Sequence, residues 1–288
     1  MSLPRDSATP HRWEWDRTLF AGSARYYRAG RLPYPEELVA AFRQELGLDG
    51  RGRLLDVGCG TGEIALLLSP LYEAVVGLDA DEEMIAEARA EARRQRRPNT
   101  TWVHARAEEL PLDLGTFRTA TFAQSFHWME RERVAATVFD MLEPGGAWVH
   151  VDVKTTPVAA TDEQLPHPEP PRSQIAELAA RYLGPVRRAG QGTLPRGTPG
   201  AEDEIMLAAG FAGPRRRPLG GKRVVERSED EVVASIFSVS SSAPHLFGAD
   251  LGAFESELRE LLRDASPDGR FSEVAPPGQL IVWTRPAG

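Results

Sequence analysis

Residues 53–62 read Arg53-Leu54-Leu55-Asp56-Val57-Gly58-Cys59-Gly60-Thr61-Gly62: a short apolar run, an acid within it, then three glycines at every second position. Leu54 to Val57 has the length and content of a buried strand. The glycines let the backbone turn sharply and come close to a ligand. Ile64 to Leu68 follows as an apolar helix ending near Pro70. The free N–H groups at the start of that helix point into the space above the glycines. A glycine loop between a strand and a helix is the setting in which such a motif carries meaning.

Working outward, Ala74 to Leu78 is a second buried strand closing at Asp79, and Asp81 to Arg97 is a helix. Met84, Ile85 and Ala88 form its inward face, and its arginines, interleaved with Glu87 and Glu91, read as a solvated face. Thr100–His104 and Thr119–Ala123 are further strands, the latter leading into Ser125-Phe126-His127-Trp128. The helix Arg131–Leu142 stops at Pro144-Gly145-Gly146, and Ala147–Val153 is a fifth strand. Upstream, Tyr34–Leu46 is helical, with Pro35 near its start and Gly47 just past its end. This alternation predicts an α/β fold, a mostly parallel sheet with helices on both faces. Its ligand belongs beyond the carboxyl ends of the strands, near the first glycine loop.

After Val153 the pattern weakens. The proline-rich 155–172 and the Gly/Pro/Arg-rich 184–200 read as loops around one helix, Ser173–Tyr182. Ala201–Ala209 and Leu251–Leu262 are helices, Arg215–Glu226 and Gln279–Thr284 two late strands, with a Ser-rich stretch before Leu251. The expectation is a single domain over 1–288. Residues 1–50 form an N-terminal cap, 51–153 the cofactor-binding core, and 154–288 the substrate-covering insertions and last strands.

The chain has 288 residues, 41% hydrophobic and 26% charged, ordinary values for a globular protein. With 34 basic against 42 acidic side chains its net charge is −8, which argues against a nucleic-acid partner. The single cysteine, Cys59, excludes an internal disulfide, and its place in the glycine loop is explained by small size. No stretch approaches the roughly 18 apolar residues of a membrane span, and the first residues carry no secretory signal. The chain therefore reads as soluble and cytoplasmic, a monomer or homodimer, with no membrane and no metal site. Its arginine- and proline-rich, lysine-poor composition points to a GC-rich bacterial genome.

Asp79, at the tip of the second strand, is placed to accept two hydrogen bonds from a ribose diol, a task common to NAD and S-adenosylmethionine sites. A dinucleotide loop normally reads GxGxxG; this one reads GxGxG behind Asp56. A carboxylate there repels a pyrophosphate but suits a cationic amino-acid group, which favours S-adenosylmethionine over NAD. An NAD-dependent oxidoreductase and a non-catalytic S-adenosylmethionine-binding module stay open as alternatives.

LLDVGCGTG, VVGLDADEEMIAEAR, AEELPL, SFHWM and MLEPGGAWV, in that order, resemble the class I S-adenosylmethionine-dependent methyltransferases. Among them the chain is similar to the ubiquinone/menaquinone-type and trans-aconitate-type small-molecule enzymes, from about Tyr26 to Asp152. The resemblance implies a seven-stranded Rossmann-like sheet with one antiparallel strand. It implies that Asp56, Gly58, Cys59, Gly60, Thr61 and Gly62 hold the methionine end of S-adenosyl-L-methionine and Asp79 the ribose. Ala80 and Met84 would flank the adenine, with Ala107 and Glu108 facing its amine; Gln124, Ser125 and Phe126 would lie beside the sulfonium. Tyr27 and Arg31 would close over the cofactor, Arg31 on its carboxylate. One departure stands out: many relatives have Gly-Asp where this chain has Ala105-Arg106, so the usual aspartate for the adenine amine is missing.

Methyl transfer needs alignment of a nucleophile with the S–CH3 bond and exclusion of water, leaving S-adenosyl-L-homocysteine. Where the acceptor must lose a proton, His127 is the best-placed base. The other reading of His127 is a residue packed beside Trp128. His127, Trp128 and His245 are candidate substrate contacts, although His245 reads more readily as a turn histidine. Trp13 and Trp15 read as apolar anchors of the leader. The expected acceptor is a small molecule of biosynthetic metabolism, O-, N- or C-methylated. No Asn/Asp-Pro-Pro-Tyr signature follows the fourth strand.

Overall fold

The computed structural model describes residues 16–158, 165–189, 192–193 and 200–288, so Trp13 and Trp15 lie outside the described residues. The chain begins with α1 (Ala24–Gly30) and α2 (Leu38–Leu46). It continues with β1 (Arg53–Val57), α3 (Glu63–Leu68), β2 (Ala74–Asp79), α4 (Glu82–Arg94), β3 (Thr100–His104), β4 (Phe117–Phe122), α5 (Arg131–Met141) and β5 (Leu142–Asp152). Beyond these come α6 (Arg172–Leu183), the short pair β6 (Arg188–Ala189) and β7 (Gly192–Thr193), and α7 (Glu202–Ala208). The last elements are β8 (Ala212–Leu219), β9 (Arg223–Ser228), α8 (Glu229–Phe237), α9 (Leu251–Ala265), β10 (Arg270–Ala275) and β11 (Gly278–Thr284).

One seven-stranded sheet runs in the order β3-β2-β1-β4-β5-β11-β8. Its first five strands are parallel, and β11 is antiparallel to both of its neighbours. This is the α/β architecture expected from the alternation of strands and helices. The strands that carry it are buried on both faces, as parallel strands between helices must be. Leu54 and Leu55 are both fully buried, one in each of the two apolar layers that cover the sheet. Strand order reverses between β1 and β4, which opens a crevice above their carboxyl ends.

A third apolar cluster lies away from the sheet and joins Ile175 and Leu178 of α6, Val233 and Phe237 of α8, and Phe254, Leu258 and Leu262 of α9. The four-residue spacing of Phe254, Leu258 and Leu262 puts them on one face of α9. Tyr26 of α1 packs on Phe237, with ring centroids 5.0 Å apart. The N-terminal segment is thus docked on the C-terminal insertion, and the two together roof the crevice.

Two expectations are corrected. Residues 215–226 are not one strand: the chain breaks at Gly220-Gly221, β8 pairs with β11 and β9 pairs with β10 in a separate two-stranded sheet. There are accordingly more late strands than the two expected. The helix α8 was not anticipated, although Ser228-Glu229-Asp230-Glu231 ahead of an apolar run is a capping box. In the structure the Glu231 N–H donates to Ser228 Oγ at 3.3 Å and the Ser228 N–H to Glu231 Oε2 at 2.8 Å.

Gly30 ends α1 where it crosses α8, and a Cβ there would overlap the Ala234 carbonyl. Gly30→Ala is expected to lift α1 and lower unfolding stability by about 2 kcal/mol, the usual scale of overpacking. Denaturant melts measure this; an unchanged midpoint would show that the crossing is not tight.

Candidate functional site

The crevice is a cleft of about 890 Å³. Its floor is made by the residues that leave the strands: Gly58 and Gly60 after β1, Asp79 to Asp81 after β2, Arg106 to Glu108 after β3, and Gln124 and Ser125 after β4. The roof comes from α1 and the chain around it (Phe20, Tyr27, Arg31), from Val225 of β9 and from Ser240 and Ser241.

The three loop glycines all have positive φ, at 68°, 55° and 83° for Gly58, Gly60 and Gly62, but they serve different purposes. A Cβ on Gly58 would lie 2.5 Å from the Ser125 Cβ, and one on Gly62 would strike the Trp102 ring at 2.5 Å. These two allow close packing of protein on protein. Gly60 is the one of the three whose Cβ would meet no tight contact, the Tyr27 ring standing 3.6 Å from where it would sit. The loop is pinned to β2, since the Gly58 and Cys59 N–H groups both donate to the Leu78 carbonyl, at 2.8 and 3.0 Å.

Asp79 is held from two sides: the Gly60 N–H donates to Oδ2 at 2.8 Å and the Asp81 N–H to Oδ1 at 2.9 Å. Each oxygen keeps a lone pair for a ligand hydroxyl. Burial pushes its carboxyl up to about 6, against the pull of these N–H bonds. Asp56 lies beneath the loop, 1% exposed, with Oδ1 accepting from Thr121 Oγ1 at 2.8 Å. Its Oδ2 is buried without a hydrogen-bond partner, and burial lifts the carboxyl to about 7. Two carboxylates strained by desolvation under a glycine loop make a floor that a cationic ligand would relieve.

At the end of β4, Gln124 takes φ 55°, unusual for a residue with a Cβ, and its amide reaches toward Asp152 Oδ1 at 3.4 Å. Ser125 lines the cleft while its hydroxyl donates to the Val57 carbonyl at 2.6 Å. His127 and Trp128 also line it; the Trp128 ring stands edge-on to Phe20 at 5.7 Å, which stands edge-on to Tyr27 at 6.4 Å. Burial lowers the His127 pKa, opposed by Glu202 and reinforced by Arg131.

Among the residues singled out from the sequence, Tyr27, Arg31, Gly58, Gly60, Asp79, Ala80, Met84, Ala107, Glu108, Gln124, Ser125, His127 and Trp128 line the cleft together. Cys59, Thr61, Gly62 and Phe126 are not on its walls: Cys59 and Phe126 are packed into the two apolar layers of the sheet. His245 stands off the cleft, its ring 3.3 Å from the Ala21 carbonyl. The Arg31 guanidinium lies over the Tyr27 ring at 4.6 Å and donates to the Ser238 carbonyl at 2.6 Å, tying roof to roof. Arg28, not singled out from the sequence, bonds the Thr61 carbonyl at 2.8 Å and so clips α1 to the glycine loop. Nothing in a local pattern marks Arg28, because its partner lies 33 residues away. No group of three or more metal-ligating side chains is assembled among the described residues, and no single helix there is long and apolar enough to cross a membrane.

Residues 54–146 match a family model described as a methyltransferase domain. An uncharacterised methyltransferase of Mycobacterium tuberculosis is 34% identical over 137 residues, 46% of this chain and 51% of that protein. The chain thus spans about half the length of that relative. The S-adenosyl-L-methionine-dependent Diels-Alderase iccD of Talaromyces variabilis is 30% identical over 240 residues, 79% of this chain and 75% of that protein. Among solved structures, YcgJ of Bacillus subtilis superposes with a TM-score of 0.50 at 19% identity, covering 87% of this chain and 98% of that one.

Proposed function

Because the chain belongs to the class I S-adenosylmethionine-dependent methyltransferase family, we propose that it binds S-adenosyl-L-methionine in the cleft and methylates a small molecule there. The observation that carries this is the Asp79 carboxylate, oriented by the Gly60 and Asp81 N–H groups at the floor of a roofed cleft. The residues fit the cofactor. Asp79 would take the ribose diol, and Gly60 leaves room for the chain that joins it to the amino-acid end. Asp56, with its unpartnered buried oxygen, supplies negative charge beneath that end.

Bound there, the sulfonium supplies a methyl group already activated for transfer. The protein's own part is to orient and to exclude water. Tyr27, Phe20 and Trp128 form the apolar wall beside the Ser125 end of the cleft, where an acceptor would be held away from bulk water. His127 is the base we assign to an acceptor that must lose a proton. Its lowered pKa leaves the imidazole neutral at pH 7, ready to accept a proton at a ring nitrogen. The roof also supports a small acceptor, since a macromolecule would have to displace α1.

Calorimetric titration with S-adenosyl-L-methionine, S-adenosyl-L-homocysteine and NAD tests the cofactor; binding of NAD, or of neither adenosyl ligand, would sink the reading. Once an acceptor is found, kcat/KM should be flat above pH 6.5. It should fall on the acid side only below the ordinary histidine value, because the free base is the active form and its pKa is depressed. His127→Gln should lose about 100-fold in kcat and abolish that limb. An acid limb that survives the substitution would assign the base elsewhere.

A second reading is favoured by the Talaromyces variabilis Diels-Alderase, a relative matched over 79% of this chain. In it the cofactor would be retained and the cleft would fold a substrate for cyclisation. Mass spectrometry separates the two: methyl transfer adds a CH2 to the acceptor, whereas cyclisation leaves the mass unchanged.

A further inference from the structure

We infer that Glu202, gripped by the buried His150, is a positioning residue for His127, its carboxylate serving as counter-charge to the imidazolium that forms when His127 takes the acceptor's proton. This rests on the proposed role of His127 and deepens it. Transfer of a methyl group from a sulfonium to an O–H or N–H removes one positive charge from sulfur and releases one as a proton. The proton leaves the acceptor as its lone pair takes the methyl group, passes to a ring nitrogen of His127 and goes on to solvent.

For as long as the proton stays, a cation stands in a half-buried place against Trp128, whose ring centroid is 5.1 Å away. Desolvation opposes that charge, which is why burial lowers the His127 pKa. A base weakened in this way accepts a proton poorly, and a nearby anion restores its strength. Two charged side chains face His127 among the described residues: Glu202, the first of α7, favours the imidazolium, and Arg131, the first of α5, opposes it.

The surroundings fix Glu202 in that place. His150 of β5 is 7% exposed and ringed by Phe122, Phe126 and Trp148, at centroid distances of 6.1, 5.3 and 5.5 Å. An imidazole among aromatic rings needs a hydrogen-bond partner, and its Nδ1 has one in Glu202 Oε2 at 3.2 Å. Its Nε2 is buried without one, so Glu202 is the polar anchor of the ring. Phe126, the nearest of the three rings, precedes His127 in the same short turn, so the His150–Glu202 pair stands beside the base. From α5, Arg131 Nη1 donates to the Gly200 carbonyl at 2.9 Å and ties down the chain that enters α7. The bond from His150 is the largest cause that holds the Glu202 carboxyl below the ordinary range, against its own desolvation, with Arg131 and His127 adding to it. Glu202 is therefore an anion at neutral pH. Neither His150 nor Glu202 is on the cleft wall, so both act through His127 rather than on the acceptor.

The test needs no acceptor. NMR titration of the full chain follows the His127 ring, its signal identified among the six histidines by its absence from His127→Gln. In Glu202→Gln the His127 midpoint should fall below that of wild type. In Glu202→Asp, which keeps the charge on a shorter arm, it should fall less. A midpoint unchanged or higher in Glu202→Gln would overturn the inference. The Glu202 side chain is 40% exposed, which accommodates an amide; should that variant still not fold, Glu202→Asp decides by the same sign. Once an acceptor is known, Glu202→Gln should lower kcat about tenfold at unchanged KM and move the acid limb of kcat/KM to lower pH, and do neither in a His127→Gln background. A loss of kcat that persists without His127 would make Glu202 merely structural. Failure of the base itself reads differently: His127→Gln then keeps its activity, whatever Glu202 does to the titration.

Discussion

Asp79→Asn is expected to weaken S-adenosyl-L-homocysteine binding by about 100-fold or more while making the ligand-free protein more stable at pH 8. The affinity falls because a charged acceptor of the ribose diol becomes a half-donor amide. The stability gain follows from the sign of the shift. Burial raises the Asp79 carboxyl from 3.8 to about 6, so the folded chain holds its proton more tightly than the unfolded chain does. The favourable contribution is complete below pH 3.8 and is lost as pH rises through about 6, beyond which a desolvated carboxylate is left in the folded state. At about 1.4 kcal/mol per pKa unit the cost at pH 8 is about 3 kcal/mol, from which a lost hydrogen bond subtracts about 1. Calorimetric melts should therefore show Asp79→Asn more stable than wild type at pH 8 and not at pH 4. Equal melting temperatures at both pH values, or affinity within threefold of wild type, would refute the account. Asp56, lifted to about 7 by burial, adds to the same decline of stability with rising pH. A floor with two such carboxylates lowers the stability of the ligand-free chain as pH rises.

The second large effect belongs to Arg227, which lines the cleft from the side of its roof. It is 4% exposed and faces Glu273, 1% exposed, at 3.3 Å. Its guanidinium also donates to the carbonyls of Ala29, Gly30 and Glu231 at 2.9, 3.2 and 2.8 Å. It thereby grips the carboxyl end of α1, the helix that presents Tyr27 and Arg28 to the glycine loop. Arg227→Ala should cost about 3 kcal/mol, leaving Glu273 with Arg172 alone and three carbonyls without their donor. Cofactor affinity should fall as well, since α1 loses its anchor. Combining Arg227→Met with Glu273→Leu should recover much of the stability and little of the affinity, because the α1 carbonyls stay unpaired. Full recovery of both would reduce Arg227 to one half of an ion pair.

The glycine-loop half of the cleft was legible because its residues are neighbours in sequence. Gly58 to Gly62 turn, Asp79 closes β2, and Gln124 to Trp128 leave β4, each within a few residues of a strand end that hydrophobic pattern locates. The roof was not. β9 and β10 are 6 residues each, are polar along half their length or more, and pair with each other, β10 adding only an isolated bridge to Val158. Glycine at 58 and 62 was readable, but the close contacts with Ser125 and Trp102 that also demand it were not. Glu108 lines the cleft as read, but its bonds to Arg106 and to the Glu130 N–H were not visible in the sequence.

Periodicity, turn chemistry and the order of the motifs specify the α/β sheet, the glycine loop and the place of Asp79, because these depend on contacts along a few consecutive residues. Which side chains face the cleft, and which are spent on partners, was set by folding. Arg28 meets Thr61 across 33 residues, Arg31 meets Ser238 across 207 and Arg227 meets Ala29 across 198. Partners so far apart leave no mark on each other's neighbourhood, and desolvation, which lifts Asp56 and Asp79, exists only once the chain has closed around them.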